Sequence, residues 1–198
     1  TEIEALIARG YRTFKFYTTY REAGLFTEYG RLDDLLRRLG PLGARVLVHC
    51  EDEAVLEAAR REVRNPAHPL GHARSRPREA EIQAITRVLA LAVDARTPVH
   101  VVHVSTPDGA AAIDRARSSG AVTSETAPQY LFLDESALGG PDGHRFICSP
   151  PLRRVDDCSR LARAAIDGRF DVFATDHCPF FRDDKDSSPA DFRKTPNG

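Results

Sequence analysis

The sequence predicts an α/β fold in which parallel strands alternate with helices. Runs of β-branched and apolar residues recur along the chain, and segments with apolar residues at helical spacing lie between them. This alternation is typical of parallel βα units. A dinucleotide-binding fold is not favoured, because no GxGxxG motif follows any of the strands and no Walker motif is present.

The first half of the chain supplies two strands and two helices. Residues 12–17 are rich in β-branched and aromatic side chains, which strands prefer. Residues 31–43 have apolar residues at helical spacing and end in glycine, and residues 45–49 form a short apolar run. Residues 52–64 predict a second helix, whereas residues 65–77 are rich in Pro, Gly and His and predict a loop.

The second half continues the same alternation. A long amphipathic helix is predicted over residues 78–96, and a β-branched strand follows near residues 99–104. The remaining elements are a helix over residues 107–120, a strand near 121–125, a helix over 155–168 and a strand near 170–175. We therefore expect five parallel strands in all.

Composition excludes several classes of partner. The 198 residues are 41% hydrophobic and 29% charged with a formal net charge of −1, which is ordinary for a globular domain. Near-neutral charge gives no footprint for nucleic acid, and no apolar run is long enough for a membrane span. The four cysteines form no CxxC pair, which favours reduced thiols and a cytoplasmic location.

Polar side chains recur where the predicted strands end. His49, His103, Glu125 and Asp176 each stand at or just beyond the end of a strand, and Lys15 lies within the first strand. In a (β/α) barrel the carboxyl ends of the strands form the active site, because several strands aim side chains at one point there. Two histidines and a carboxylate suit zinc and similar metals.

Each of these residues also has a structural interpretation. A single histidine at a strand end is often a packed, hydrogen-bonded side chain, and Asp176 alone could cap a turn. Lys15 could face solvent from an edge strand. Their repetition at one end of successive strands favours a metal site instead.

A lysine among metal ligands needs a chemical explanation. An ammonium group has no lone pair, but burial lowers the pKa of an amine. A neutral amine can react with carbon dioxide to give a carbamate, an anion whose two oxygens can bridge two cations. Two metals about 3.5–4 Å apart can hold a hydroxide and polarise a carbonyl. This chemistry would account for Lys15 in the middle of its strand.

Six motifs in order resemble the cyclic amidohydrolases. They are "FKFYTTY", "VHCED", "HVVHVST", "ETAPQYLFLD", "CSPPLR" and "ATDHCPF". Within that family the sequence is most similar to the dihydropyrimidinase and D-hydantoinase branch. The resemblance implies a (β/α)8 TIM barrel of the metal-dependent amidohydrolase type, of which this chain would supply about strands 4 to 8. It also implies two zinc ions and the opening of a dihydropyrimidine or 5-substituted hydantoin ring to an N-carbamoyl amino acid.

The resemblance assigns a role to each metal-site residue. Lys15 corresponds to the N6-carboxylysine that bridges the two zinc ions, and His49 and His103 correspond to ligands of the second zinc. Asp176 corresponds to a metal ligand that also acts as the general base and later returns a proton to the leaving nitrogen.

Two further residues correspond to substrate-binding positions. Tyr20 matches a tyrosine whose hydroxyl stabilises the oxyanion, and Ser149 matches a serine whose backbone binds the cyclic ring. Tyr20 could equally be a packed strand aromatic, and Ser149 a turn residue before prolines. Gln129 favours hydantoinases over allantoinases and dihydroorotases, which remain alternatives.

Part of the family pattern is missing from these 198 residues. No His-x-His pair for the first metal is present, and we expect the substrate-contacting asparagine beyond the eighth strand to lie outside the chain. We therefore expect residues 1–198 to be one partial catalytic barrel domain. By the resemblance the protein acts on a small cyclic amide as a homotetramer. A dihydropyrimidinase-like scaffold without catalysis is the alternative from another functional class.

Overall fold

Five parallel strands form the sheet, as the sequence predicts. The structure, a computed structural model, describes residues 2–188 and 190–198. The strands are β1 (Thr13–Tyr17), β2 (Arg45–His49), β3 (Val99–Val101), β4 (Val122–Thr126) and β5 (Val172–Phe173), in the spatial order β1-β2-β3-β4-β5. Each is parallel to its neighbour, so their carboxyl ends lie along one edge of the sheet.

Helices connect the strands and cover the sheet. In the part of the chain that the structure describes they are α1 (Glu2–Ala8), α2 (Tyr29–Leu39), α3 (Glu53–Glu62), α4 (Leu70–Ser75), α5 (Arg78–Asp94), α6 (Pro107–Arg117), α7 (Pro128–Phe132), α8 (Val155–Ile166) and α9 (Arg182–Asp186). Several begin with recognisable caps: the side chain of Asp52 accepts from the Val55 amide, and that of Thr106 accepts from the Gly109 amide.

The main core lies between the sheet and the helices. Val46 and Val48 of β2 are fully buried and belong to the same apolar cluster as Leu32, Leu36 and Ile85 on the helices. Burying one such side chain is worth about 1.5–3 kcal/mol. The alternating buried positions of β2 therefore fix which face of the strand meets the helices and which residues remain for the opposite face.

Three features differ from the sequence prediction. Residues 70–75 form α4, although the Pro- and His-rich segment predicts a loop, and residues 182–186 form α9 within a polar segment. β3 ends at Val101 rather than near residue 104. A contact with a distant residue stabilises α4, because His72 Nε2 donates to the Cys148 carbonyl oxygen at 2.8 Å.

Two further features are the absence of a membrane-spanning helix among the described residues and the state of the cysteines. No helix among the described residues combines the length and the apolar character needed to cross a bilayer. None of the four cysteines takes part in a disulfide.

We expect His72 to make stability depend on pH. Burial lowers the pKa of His72 from 6.5 to about 4, so the unfolded chain binds this proton more readily than the folded protein. The stabilisation is complete above pH 6.5 and is lost as the pH falls towards 4, by about 3 kcal/mol in the free energy of unfolding. Urea denaturation of the full-length protein at pH 7.5 and pH 4.5 measures it.

The matched variants are His72→Gln and His68→Gln. Glutamine keeps an N–H donor near the position of Nε2 but does not titrate, so His72→Gln should reduce the pH dependence. His68 is exposed, and its replacement should leave the dependence unchanged. Equal pH dependence in His72→Gln and the parent protein would contradict this role.

Candidate functional site

A cavity of about 400 Å³ opens at the carboxyl edge of the sheet. The six residues to which the family resemblance assigns a metal-binding or substrate-binding role line it: Lys15, Tyr20, His49, His103, Ser149 and Asp176. They come from β1, β2 and the segments that follow β1, β3, β5 and α7. The parallel sheet thus brings together side chains that are up to 161 positions apart in the sequence.

His49 and His103 lie against each other at the base of the cavity. Their ring centroids are 4.6 Å apart with the ring planes at 73°, and both side chains are buried. Burial, the neighbouring His49 and the Lys15 charge keep the pKa of His103 well below its usual value. His103 is therefore a neutral imidazole with a lone pair available to a ligand.

Glu51 and Arg76 support His49 from behind. Glu51 is fully buried, and its Oε2 lies 2.7 Å from His49 Nε2. The Arg76 guanidinium binds both oxygens of the same carboxylate, with Nε donating to Oε1 at 3.1 Å. Burial opposes ionisation of Glu51, but Arg76 and His49 hold the pKa of Glu51 well below its usual range. A fixed carboxylate at Nε2 leaves Nδ1 of His49 for other contacts.

Tyr20 packs beside this pair. Its ring centroid is 5.1 Å from that of His49, and the Arg76 guanidinium carbon is 5.1 Å from the Tyr20 ring centroid. Burial raises the pKa of Tyr20 to about 12, although Arg76 opposes the shift. The phenol is therefore protonated at neutral pH and can donate a hydrogen bond.

Three cavity residues have strained backbones. Tyr20, His103 and Asp176 adopt φ values of 66°, 39° and 50°, in the left-handed region that non-glycine residues rarely occupy. Each stands where the chain turns after a strand. Such conformations cost about 1–3 kcal/mol each and concentrate at functional sites. Among the described non-glycine residues only Arg96 shares this feature, with φ of 52°.

Threonine hydroxyl groups join the ends of adjacent strands below the cavity. Thr18 Oγ1 donates to the carbonyl oxygen of Glu51 at 2.9 Å and accepts from the Glu51 amide at 3.0 Å. Thr126 Oγ1 donates to the carbonyl oxygen of Val104 at 2.7 Å. These bonds fix the segments after β1 and β2, and after β3 and β4, relative to each other.

A second buried carboxylate holds the segment after His103. Glu81 of α5 accepts from the Ser105 amide and hydroxyl, both at 2.9 Å, and from the Thr106 hydroxyl. Arg153 Nε donates to Ser105 Oγ at 2.9 Å, and its Nη1 donates to the Arg76 carbonyl oxygen at 2.6 Å. Sequence reasoning did not select Glu81 or Arg153, because only their burial reveals their role.

Lys15 lies on β1, which has one neighbouring strand among the described residues. β1 is the edge of the sheet, and Lys15 faces the cavity from it with Nζ 5.4 Å from the Tyr17 ring centroid. The Lys15 side chain is exposed because β2 covers only one side of β1. The position in the cavity is nevertheless the one that the metal-site interpretation requires.

Glu125 does not reach the cavity, unlike the other strand-end residues. His100 binds it, with Nε2 3.1 Å from Glu125 Oε2, and His100 Nδ1 lies 2.8 Å from Thr123 Oγ1. Asn197, in contrast, was not expected in this chain at all. It lines the cavity and accepts from Ser149 Oγ at 3.1 Å. An asparagine beyond the last strand is thus present at the cavity.

The donor groups fit a metal ion in their chemistry. Nδ1 of His103 is buried and has no hydrogen-bond partner, beside a second imidazole. Among the described residues, no three His, Cys, Asp or Glu side chains converge on one metal position. Lys15 and Asp176 line the same cavity as the two histidines.

Known proteins are similar to this chain in both sequence and structure. The D-phenylhydantoinase of Escherichia coli O81 (strain ED1a) is 39% identical over 206 residues, which cover 100% of this chain and 43% of the relative. The D-hydantoinase of Bacillus sp. AR9 superimposes with a TM-score of 0.93 at 36% identity, over 100% of this chain and 44% of that protein. The chain belongs to the cyclic amidohydrolases, in the dihydropyrimidinase and D-hydantoinase branch.

A third relative agrees with this assignment. The dihydropyrimidinase of Brevibacillus agri NCHU1002 superimposes with a TM-score of 0.92 at 37% identity, over 100% of this chain and 44% of that protein. No family model matches the sequence. The chain spans less than half the length of the relatives that it matches, so its five strands form part of an amidohydrolase TIM barrel.

We expect Glu51 to be the buried charge on which the site depends. Glu51→Gln leaves the buried Arg76 guanidinium without a counter-ion, and should lower the free energy of unfolding by about 3 kcal/mol. Glu57→Gln is the control, because Glu57 pairs with Arg21 at the surface at 3.5 Å and such pairs contribute at most about 1 kcal/mol. Urea denaturation of both variants makes the comparison. Equal losses in both would contradict the prediction.

Proposed function

We propose that this chain is part of the catalytic barrel of a metal-dependent hydrolase that opens a cyclic amide ring. The substrate is a dihydropyrimidine or a 5-substituted hydantoin, and the product is an N-carbamoyl amino acid. The observation that carries the proposal is the convergence of Lys15, Tyr20, His49, His103, Ser149 and Asp176 on one cavity. The similarity to hydantoinases over the whole chain supports the choice of reaction.

In this proposal the metal centre holds two zinc ions. Lys15 as N6-carboxylysine, His49, His103 and Asp176 would hold them, with the remaining ligands supplied outside these 198 residues. The cations would lower the pKa of a bound water and polarise the ring carbonyl. Glu51 would fix the orientation of His49 through Nε2, as carboxylates do for metal-binding histidines.

In this reaction Asp176 transfers a proton from water to the leaving nitrogen, and Tyr20 stabilises the negative charge on the oxyanion. Asp176 accepts a proton as water oxygen adds to the ring carbonyl carbon. Tyr20 donates a hydrogen bond to the oxyanion, while Ser149 holds the ring. When the C–N bond breaks, Asp176 returns the proton to the leaving nitrogen, so one water molecule is consumed. The carbonyl carbon becomes a carboxylic acid, which releases the second proton of the water to solvent as it ionises, and the nitrogen remains in the carbamoyl group.

Gln129 favours this branch over allantoinase or dihydroorotase. Its amide lines the same cavity as Tyr20 and Ser149 and offers both a donor and an acceptor to a ring amide. We also propose a cytoplasmic homotetramer. Exposed apolar side chains on α8, Val155 and Ile166 at 59% and 77%, would supply part of a subunit contact.

The metal-site proposal predicts that Lys15→Ala abolishes activity and metal binding together. The substitution removes the bridging anion but leaves the edge strand intact, because Lys15 makes no core contact. Metal analysis and ring-opening assays on the full-length protein with hydantoin and dihydrouracil measure both effects. Lys194→Ala is the control, since Lys194 is exposed and does not line the cavity.

Other outcomes identify the alternatives. A metal-loaded protein that opens only allantoin or dihydroorotate would move the assignment to those enzymes. A protein that binds no metal and opens none of the four rings would instead be the non-catalytic scaffold.

Tyr20→Phe tests the oxyanion role. Removing one such hydrogen-bond donor lowers kcat by roughly 10²–10³-fold, and KM should change little because the donor acts mainly in the transition state. Steady-state kinetics of the full-length protein measure the two constants separately. Tyr11→Phe serves as the control, because Tyr11 is exposed and distant from the cavity residues. A loss confined to KM would rule out this role.

A further inference from the structure

Arg76 is a buried cation with two partners in the site. It leaves the end of α4, is 6% exposed, and binds both oxygens of Glu51. Its guanidinium carbon lies 5.1 Å from the centroid of the Tyr20 ring. Neither contact is visible in the sequence, where Arg76 belongs to a segment that predicts a loop.

The Tyr20 side chain is surrounded by contacts, and its backbone is strained. With φ of 66° the Tyr20 backbone lies in the left-handed region, which a non-glycine residue keeps only where surrounding contacts compensate for the strain. The neighbours of the side chain are Tyr17 at 5.8 Å and His49 at 5.1 Å between ring centroids, the Arg76 guanidinium, and Ser149, whose side chain interacts with that of Tyr20. Arg76 is the one cation that contacts the Tyr20 ring among the described residues.

Arginine suits this place better than lysine. Its planar guanidinium can bind a carboxylate through two N–H groups while its face lies on an aromatic ring, and an ammonium group cannot do both. A cation on an aromatic ring is worth about 0.5–2 kcal/mol, with the larger values in desolvated places. Glu51 binds Arg76 and also contacts His49. Because Arg76 in turn contacts the Tyr20 ring, the position of that ring is linked to the position of His49.

We propose that Arg76 is a positioning residue for Tyr20, held by Glu51 so that the tyrosine hydroxyl keeps its place in the cavity. The inference rests on the proposed function, in which that hydroxyl meets the developing oxyanion. Arg76 does not line the cavity, so in this proposal it acts through the tyrosine. A purely structural role for Arg76 would affect the enzyme regardless of whether the tyrosine hydroxyl is present.

The test is a double-mutant cycle in the full-length protein. Arg76→Lys keeps the charge that Glu51 needs but loses the planar contact, and should lower kcat roughly tenfold with KM nearly unchanged. In the Tyr20→Phe background the same substitution should lower kcat by less than about twofold, because the hydroxyl that it positions is gone. An equal loss in both backgrounds would overturn the proposal.

Arg153→Lys is the matched control. Arg153 is as buried as Arg76 and belongs to the same polar network, but its hydrogen bonds go to Ser105 and to the Arg76 backbone rather than to Tyr20. Its effect should be the same with and without the tyrosine hydroxyl. Thermal denaturation of every variant checks that each protein is folded at the assay temperature.

A structural measurement separates this proposal from the proposed function. Crystal structures of the parent protein and of Arg76→Lys should show the Tyr20 ring displaced or disordered in the variant. This comparison needs no activity, so it decides the positioning role even if the protein opens no cyclic amide. A Tyr20 ring in the same place and equally ordered in both structures would overturn the proposal.

Discussion

The parallel alignment of the strands is the constraint on which the site depends. In a parallel sheet every strand ends at the same edge, so residues far apart in the chain meet there without any long loop. The register of the sheet determines which residues are neighbours at this edge: Tyr17 pairs with His49, and Glu125 pairs with Val172. Helices on the other face bury the alternating valines of β2 and leave the opposite side chains free for the cavity.

Two buried carboxylate–arginine groups refine this arrangement. Glu51 with Arg76, and Glu81 with the neighbouring Arg153, lie beneath the cavity and hold the segments that follow β2 and β3. Buried ion pairs contribute little net stability relative to apolar residues of the same volume, because both charges lose their hydration. Their physical value here is geometric: hydrogen bonds from Arg76 to Glu51 and from Ser105 to Glu81 restrict how the segments after β2 and β3 can be arranged.

Much of this could be predicted from the sequence, and the reason for the rest is physical. The strands and most helices follow from local patterns, and the polar residues at strand ends follow from the strands. Arg76, α4 and Asn197 depend on contacts with residues far along the chain, such as His72 with Cys148. Local pattern carries no record of such contacts.

The left-handed residues show where the fold gives up stability for the placement of side chains. At Arg96, just past the end of α5, glycine would adopt the same turn without strain, and no cavity contact would be lost. At Tyr20, His103 and Asp176 glycine would relieve the backbone equally well but would remove a phenol, an imidazole or a carboxylate from the cavity. Backbone strain can therefore be removed at Arg96 without changing the cavity, whereas at the other three residues the strain accompanies the side chain that the cavity needs.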